Sequence, residues 1–216
     1  MNRNRRLLLK RLFATLSLLL GSASYAAGAP PAKPADTAPL TATAVFAGGC
    51  FWGVDAVFKH VKGVSDVVSG YAGGSAATAT YEQVSRGGTG HAEAVRVRFN
   101  PAQVSYRQLL QVFFRVAHDP TQLDRQGPDV GSQYRSAIFY VDAEQQRTAQ
   151  DTIRQLGVAG AFPAPIVTQV VPLQQFHAAE DYHQNYLALH PRQPYIVMHD
   201  LPKLEQLRRQ FPALYQ

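Results

Sequence analysis

Apolar positions with two different periods divide the chain beyond residue 40 into strands and helices. Alternation and short apolar runs predict strands at 41–47, 64–69, 91–99, 136–141 and 166–172. Apolar residues at helical spacing predict helices at 54–60, 105–118, 143–156, 178–189 and 202–211. Because strands and helices alternate along one chain, the pattern predicts an α+β sandwich.

The strand at 91–99 carries a carboxylate where its pattern demands an apolar residue. Its odd positions are apolar from Val95 to Phe99, whereas its even positions there are arginines. Counting back in twos places Glu93 and His91 on the apolar face. A carboxylate there is costly unless it is paired or protonated. Glu93 is therefore the best candidate for an acid, with a salt bridge to an arginine as the alternative.

The stretch Gly48–Gly53 contains the only cysteine and the only tryptophan of the chain, Cys50 and Trp52. It lies between a predicted strand and a predicted helix, where glycines permit a tight turn. Unpaired N–H groups and the helix dipole favour a thiolate at such a position. Phe51 and Trp52 could line a small apolar pocket beside the thiol. A buried cysteine that only fills space remains the alternative.

The N-terminus has the order of a secretory signal peptide. A basic segment is followed by the apolar run Leu12–Leu20 and by small residues up to Ala26, after which we expect cleavage. The apolar run is shorter than the roughly 20 residues that span a bilayer, which disfavours an uncleaved anchor. Residues 4–10 also resemble a twin-arginine export signal, and the general secretory route is the alternative. The sequence thus predicts an exported, periplasmic protein.

Residues 27–40 are rich in proline and alanine and are predicted to be an extended linker. That leaves 41–216 as one folded domain. The chain has 21 Lys and Arg against 15 Asp and Glu, and removing the five basic residues of the signal leaves 16 against 15. The charge therefore gives no argument for a nucleic-acid partner.

Two groups of possible metal ligands occur, and neither has the spacing of a metal site. They are His177, Glu180 and His183 on a predicted helix, and Asp119, Asp124 and Asp129 in a long polar loop. The first group would spread over an arc of about 120° on the helix. The second does not match a calcium-binding loop. No metal site is predicted.

Six motifs occur in an order that resembles the peptide methionine sulfoxide reductases of the A type. They are Gly49-Cys50-Phe51-Trp52-Gly53, Ser69-Gly70-Tyr71-Ala72-Gly73-Gly74, Thr89-Gly90-His91-Ala92-Glu93, His118-Asp119-Pro120-Thr121, Gln133-Tyr134-Arg135-Ser136 and Ala179-Glu180-Asp181-Tyr182-His183-Gln184. The resemblance extends over nearly all of residues 44–190. It implies a two-layer α+β sandwich around a split βαβ, ferredoxin-like core.

The resemblance also implies an activity: reduction of the S epimer of methionine sulfoxide, free or in proteins. It implies no metal or organic cofactor, and an external thiol reductant, either a thioredoxin-like protein or a small thiol. A monomer without stable membrane insertion is expected. By motif position, the implied nucleophile is Cys50 and the implied proton donor is Glu93. The implied substrate-binding residues are Phe51 and Trp52 for the methyl group, Tyr81 and Tyr134 for the sulfoxide oxygen, and Asp129 in support.

The chain departs from this family pattern at its C-terminus. Many members carry one or two resolving cysteines there, whereas this chain has none between Tyr195 and Gln216. We therefore expect a sulfenic acid on Cys50 that an outside thiol must reduce. Two other hypotheses stay open at this point. One is a hydrolase that pairs Cys50 with His91 or His183, and the other is a domain that binds sulfoxides without catalysis.

Overall fold

A computed structural model describes residues 41–216. The predicted signal peptide, its cleavage site and the linker lie outside the described residues, so these remain predictions.

A mixed sheet organises the described chain, with the strand order β7-β6-β1-β3-β2-β8. Its strands are β1 (Ala42–Gly48), β2 (Val64–Ala72), β3 (Ala92–Phe99), β6 (Ser136–Tyr140), β7 (Gln169–Pro172) and β8 (Phe176–Ala178). The polar loop after residue 118 adds a small hairpin of β4 (Arg125–Gln126) and β5 (Asp129–Val130).

Helices connect these strands. They are α1 (Phe51–Lys59), α2 (Tyr81–Ser85), α3 (Tyr106–Val112), α4 (Ala143–Val158), α5 (Tyr186–Leu189) and α6 (Leu201–Gln210). The predictions at 54–60, 105–118, 143–156 and 202–211 are confirmed with some differences in bounds, whereas α2 is not among the predicted helices. Two π-helical turns, Phe113–Ala117 and Ile196–Asp200, extend α3 and precede α6. Ser105 caps α3 as predicted, in a reciprocal capping box with Gln108.

The central strands have the predicted split βαβ topology. Helix α1 connects β1 to β2, and β3 lies between these two strands, antiparallel to both. In the same way α3 leads from β3 towards β6, and β1 lies between them. The order β6-β1-β3-β2 is the ferredoxin-like arrangement. The predicted α+β class and core are therefore confirmed.

Helices cover one face of this sheet, which makes the sandwich two-layered. The main core joins Phe46 and Val97 of the sheet to Phe58 of α1, Leu109 of α3 and Leu156 of α4. A smaller cluster on the other face is built largely from alanines. Glu93 has the same parity as Val97, so the acid points into the helical layer.

The predicted helix at 178–189 is wrong. Strand β8 runs to Ala178, a 3₁₀ turn covers Asp181–His183, and only Tyr186–Leu189 is α-helical. The Gln184 side chain binds the backbone N–H and C=O of Ser69, at 3.0 Å each, so this segment is attached to β2. Asn185 then adopts the left-handed conformation, with φ +55°, which no helix interior accommodates. These tertiary hydrogen bonds override the local helical pattern.

Candidate active site

Cys50 lies at the junction that the sequence predicts, between β1 and α1. Gly49 precedes it with φ +89°, a conformation that favours glycine. Cys50 is the N-cap residue of α1, and its side chain is nearly buried, with 8% exposed. The Cys50 side chain makes no capping hydrogen bond, although the nearby Trp52 backbone N–H lowers the pKa of the thiol. The sulfur thus lies at the N-terminus of the helix.

The expected thiolate is nevertheless wrong for this structure. Burial raises the pKa of the Cys50 thiol well above its usual value, and the charges of Glu93 and Asp200 raise it further. The Trp52 N–H and the Lys203 ammonium lower this pKa, but the opposing effects are larger. Desolvation of a charge outweighs a helix terminus here, so the thiol is protonated at neutral pH.

Glu93 is buried against the peptide group that follows the cysteine. Only 2% of Glu93 is exposed, and its Oε2 accepts a hydrogen bond of 3.1 Å from the backbone N–H of Phe51. Burial raises the pKa of this carboxyl to about 8, against the effect of the Phe51 N–H. Asp129 raises it slightly further. The expected salt-bridge alternative does not occur, because no ion pair of Glu93 exists within residues 41–216. The site therefore presents a neutral carboxylic acid beside a thiol.

Tyr81 and Tyr134 lie near both of these groups. Burial raises the pKa of each phenol, and the charges of Glu93 and Cys50 raise it further, so both hydroxyls are firmly protonated donors. The Arg135 guanidinium fixes the segment of Tyr134, since it donates to the carbonyl oxygens of Gly90 at 2.9 Å and of His91 at 3.1 Å. The residues that precede Glu93 are thereby attached to those around Tyr134.

Trp52 is fixed by a cluster of aromatic rings. Its indole stacks on Tyr186 at 3.7 Å between centroids and meets the edge of Tyr195 at 5.9 Å. Its Nε1–H donates a hydrogen bond of 3.1 Å to Nδ1 of His183. The Phe51 ring lies 5.0 Å from the same imidazole. The two predicted methyl-binding residues therefore share one aromatic environment.

Asp129 reaches the site through a tyrosine. Its Oδ2 accepts a hydrogen bond from the Tyr195 hydroxyl, whose ring is in turn in contact with Trp52. The predicted supporting role of Asp129 thus has a physical route, from the carboxylate to the phenol to the indole.

Four residues of this environment were not predicted as site residues. They are Glu180, His183, Tyr186 and Tyr195. Glu180 fixes Tyr81, because its carboxylate accepts from the Tyr81 backbone N–H at 2.9 Å. Glu180 and His183 do stand in one of the motifs. Tyr186 and Tyr195 stand in no motif, and only tertiary structure brings them to the indole.

The histidines do not form a catalytic pair with the cysteine. His91 binds the Gly74 N–H through Nδ1 and the Ser75 carbonyl through Nε2, at 3.2 and 2.9 Å. Nδ1 of His183 is occupied by the indole. The hydrolase hypothesis has no support from this geometry. Residues 41–216 contain no cluster of three or more His, Cys, Asp or Glu side chains suited to a metal ion. Within the same range no helix is long and apolar enough to cross a membrane.

The site combines a thiol at a helix N-terminus with a neutral buried acid and two phenols. This combination defines a class of enzyme that uses a thiol on an oxygenated substrate. Comparisons with known proteins identify the family within that class. Residues 42–214 match the family model described as peptide methionine sulfoxide reductase. The chain belongs to this family.

Individual relatives support the same assignment. The chain is 57% identical over 178 residues to peptide methionine sulfoxide reductase MsrA 2 of Mesorhizobium japonicum, covering 82% of this chain and 91% of that protein. It is 54% identical over 175 residues to MsrA 2 of a Synechocystis species, covering 81% of this chain and 82% of that one.

Solved structures agree in fold. The crystal structure of reduced Mxr1 from Saccharomyces cerevisiae has a TM-score of 0.67 at 32% identity, covering 71% of this chain and 87% of that one. Methionine sulfoxide reductase A of Corynebacterium diphtheriae has a TM-score of 0.63 at 35% identity, covering 72% and 77%. The protein is a peptide-methionine (S)-S-oxide reductase, which takes its electrons from thiols and acts in the repair of oxidised methionine.

Proposed function

We propose that Cys50 is the nucleophile of this reduction and Glu93 its general acid. One observation carries the assignment: the neutral Glu93 carboxyl binds the N–H of Phe51, the residue that follows the cysteine. A sulfoxide sulfur accepts a nucleophile readily only when its oxygen is protonated. The site supplies a thiol and a proton donor together, within a few ångströms of one helix N-terminus.

The remaining site residues bind the oxygen and the methyl group of the sulfoxide. Tyr81 and Tyr134 are both close enough to Glu93 for its charge to raise their pKa values, and we assign their hydroxyls as hydrogen-bond donors to the sulfoxide oxygen. Phe51 and Trp52 contact the methyl group on the sulfur. With the oxygen and the methyl group fixed and the Cys50 sulfur attacking from a third side, one position is left for the rest of methionine, and this is how the site selects one epimer.

The first half of the cycle is an oxygen transfer. The Cys50 sulfur attacks the sulfoxide sulfur and forms an S–S bond, while Glu93 protonates the oxygen and then takes up the thiol proton. The hydroxyl passes to the Cys50 sulfur as the substrate's S–O bond and the new S–S bond break, which releases methionine. The methionine sulfur gains two electrons and the Cys50 sulfur loses two, which leaves methionine and a Cys50 sulfenic acid.

The second half requires an external thiol, because Cys50 is the only cysteine in the sequence. The thiolate of the reductant attacks the Cys50 sulfur of the sulfenic acid and forms a mixed disulfide. The displaced hydroxide leaves as water. A second thiol then releases Cys50 and forms the reductant's own disulfide. We infer that a thioredoxin-fold protein or a small thiol supplies these electrons.

Mass spectrometry after one equivalent of a methionine S-sulfoxide peptide, without reductant, tests this cycle. We expect one added oxygen on Cys50, which a sulfenic-acid reagent traps, and one oxygen lost from the peptide. The R epimer should give neither change, and Cys50→Ser should lose turnover with every thiol donor. A disulfide-linked dimer in place of the sulfenic acid would instead show resolution between two chains.

We further propose an exported, periplasmic enzyme that acts as a monomer. The basic segment and the apolar run before Ala26 support export. N-terminal sequencing of the protein recovered from a periplasmic extract should begin at Ala27, and light scattering should give the mass of one chain. An intact N-terminus in the cytoplasmic fraction would refute the export.

A further inference from the structure

The first turn of α1 lacks a side chain where helices often carry one. Cys50 is the N-cap of α1, which makes Gly53 the third helical residue. A side chain at that position commonly reaches back towards the N-cap residue. A Cβ on Gly53 would lie 2.1 Å from Oδ1 of Asp200 and 2.6 Å from Nζ of Lys203. Two charged groups from the C-terminal segment therefore fill the space that this glycine leaves.

Asp200 does not have the role that its own position suggests. It precedes α6 as the N-cap residue, where an aspartate commonly accepts a backbone N–H of its helix. The Asp200 side chain makes no such hydrogen bond within the described chain. It is fully buried, and its Oδ2 has no hydrogen-bond partner among residues 41–216. The carboxylate lies against Gly53 of α1, and its hydrogen-bond partner from α6 is the Lys203 side chain.

Lys203 is the counter-ion that holds this carboxylate. Its Nζ lies 3.2 Å from Oδ1 of Asp200, and only 18% of the lysine side chain is exposed. A buried ion pair is costly to form and rarely explains stability by itself. Its site, beside the helix turn that presents the cysteine, indicates a function in the chemistry of the sulfur.

Groups of both charges interact electrostatically with the Cys50 sulfur. They include Glu93 from β3, Tyr81 from α2, Tyr134, Tyr195, Asp200 and Lys203. Lys203 is the only cation among them within the described residues. The other groups are neutral, or carry a negative charge that opposes an anionic sulfur.

We propose that Lys203, held by Asp200 in the space beside Gly53, is a positioning residue that supplies the positive charge against which the Cys50 sulfur becomes anionic. This inference rests on the proposed role of Cys50 as the nucleophile. The charge acts while the sulfur is anionic, when it favours the thiolate during attack on the sulfoxide.

The lone cysteine makes the proposal directly measurable. The rate of Cys50 alkylation by iodoacetamide, recorded against pH in the full-length protein, reports the thiolate without any sulfoxide. We expect Lys203→Met to move this profile upward by about one pH unit, a fall of about tenfold in thiolate at a given pH. Asp200→Asn should move it downward, because it removes the opposing charge and keeps the side chain's shape. Lys203→Arg and the exposed control Lys62→Met should leave the profile in place.

Opposite shifts separate charge from structure. If the pair only supported the fold, both substitutions would loosen the turn and move the alkylation profile in the same direction, or would leave it unchanged. A shift in the same direction and an unchanged profile would each overturn the proposal. If Lys203→Met does not fold by circular dichroism, the downward shift in Asp200→Asn decides the question. In turnover, Lys203→Met should lower kcat at neutral pH and leave the KM for the sulfoxide peptide unchanged. Retained turnover by Cys50→Ser would instead refute the role of Cys50, independently of these profiles.

Discussion

Replacement of Glu93 by glutamine should slow the enzyme and stabilise it. The amide has nearly the shape of the protonated carboxyl, and its oxygen can still accept the N–H of Phe51, now at 3.1 Å from Glu93. Glutamine cannot donate a proton to a leaving oxygen. We therefore expect kcat to fall by about 10²–10⁴ with little change in KM. The gain in stability follows from the cost of ionising a buried carboxyl.

That cost has a defined pH dependence. The pKa of Glu93 is raised from its ordinary 4.5 to about 8, so the folded chain binds this proton more tightly than the unfolded chain. The parent protein pays no penalty below about pH 4.5, loses stability as the pH rises to about 8, and loses no more above that value. Neutral pH lies about 2.5 units into this window, and each unit is worth about 1.4 kcal/mol. Glu93→Gln should thus be more stable than the parent by up to about 3 kcal/mol at pH 7, with no difference near pH 4.5.

Urea unfolding of parent and variant at several pH values tests this expectation, alongside turnover at the same values. Glu144→Gln is the matched control, because Glu144 is exposed in the first turn of α4 and should change neither quantity substantially. Two parallel stability curves, or a variant that is less stable at pH 7, would show that Glu93 is not a neutral buried acid. An unchanged kcat would refute its role as proton donor.

Two further predictions concern Trp52 and the cap of α3. Burial lowers the pKa of His183 from its ordinary 6.5, so at pH 6.5 its Nδ1 should still accept from Trp52, the only tryptophan. Trp52 emission should therefore stay constant as the pH falls to 6.5. His183→Ala should shift the emission and raise KM, whereas the control His60→Ala should do neither. A change in the parent's emission with a midpoint at pH 6.5 or above would contradict the argument. Ser105→Ala removes the capping box of α3 and should lower the free energy of unfolding by about 1 kcal/mol in urea titration. Ser65→Ala, at an exposed hydroxyl outside any cap, should cost much less, and equal losses would refute the capping explanation.

The fold could be predicted where local pattern and tertiary environment agree. Alternation gave β3 and the parity that turns Glu93 inward, and the glycine turn placed Cys50 at the start of α1. The pattern failed for 178–189, whose helical spacing is genuine but whose Gln184 is bound to β2. A hydrogen bond to a strand more than 100 residues away leaves no signal in the local periodicity.

The site shows the same division. Most of the residues proposed to act on the sulfoxide group, among them Cys50, Glu93 and Tyr134, stand in motifs and could be identified from the sequence. Tyr186 and Tyr195 fix Trp52 through ring contacts that depend on α5 and on the π-helical turn, so no motif marks them. The thiolate was wrongly expected because the sequence shows the helix N-terminus but not the depth of burial. Desolvation is a property of the packed structure and exceeds the effect of the terminus.

Burial raises the pKa of both Cys50 and Glu93, so both groups are neutral before the reaction. A charge on Glu93 would raise the pKa of the Cys50 thiol further. In the proposed reaction the carboxyl proton passes to the sulfoxide oxygen and the thiol proton replaces it. Thiol and sulfoxide thus become sulfenic acid and thioether with no net charge left in the core. A site that would be poor at holding a thiolate is well suited to this exchange between neutral species. The anionic sulfur exists only transiently, and the Lys203 ammonium needs to stabilise it only during that time.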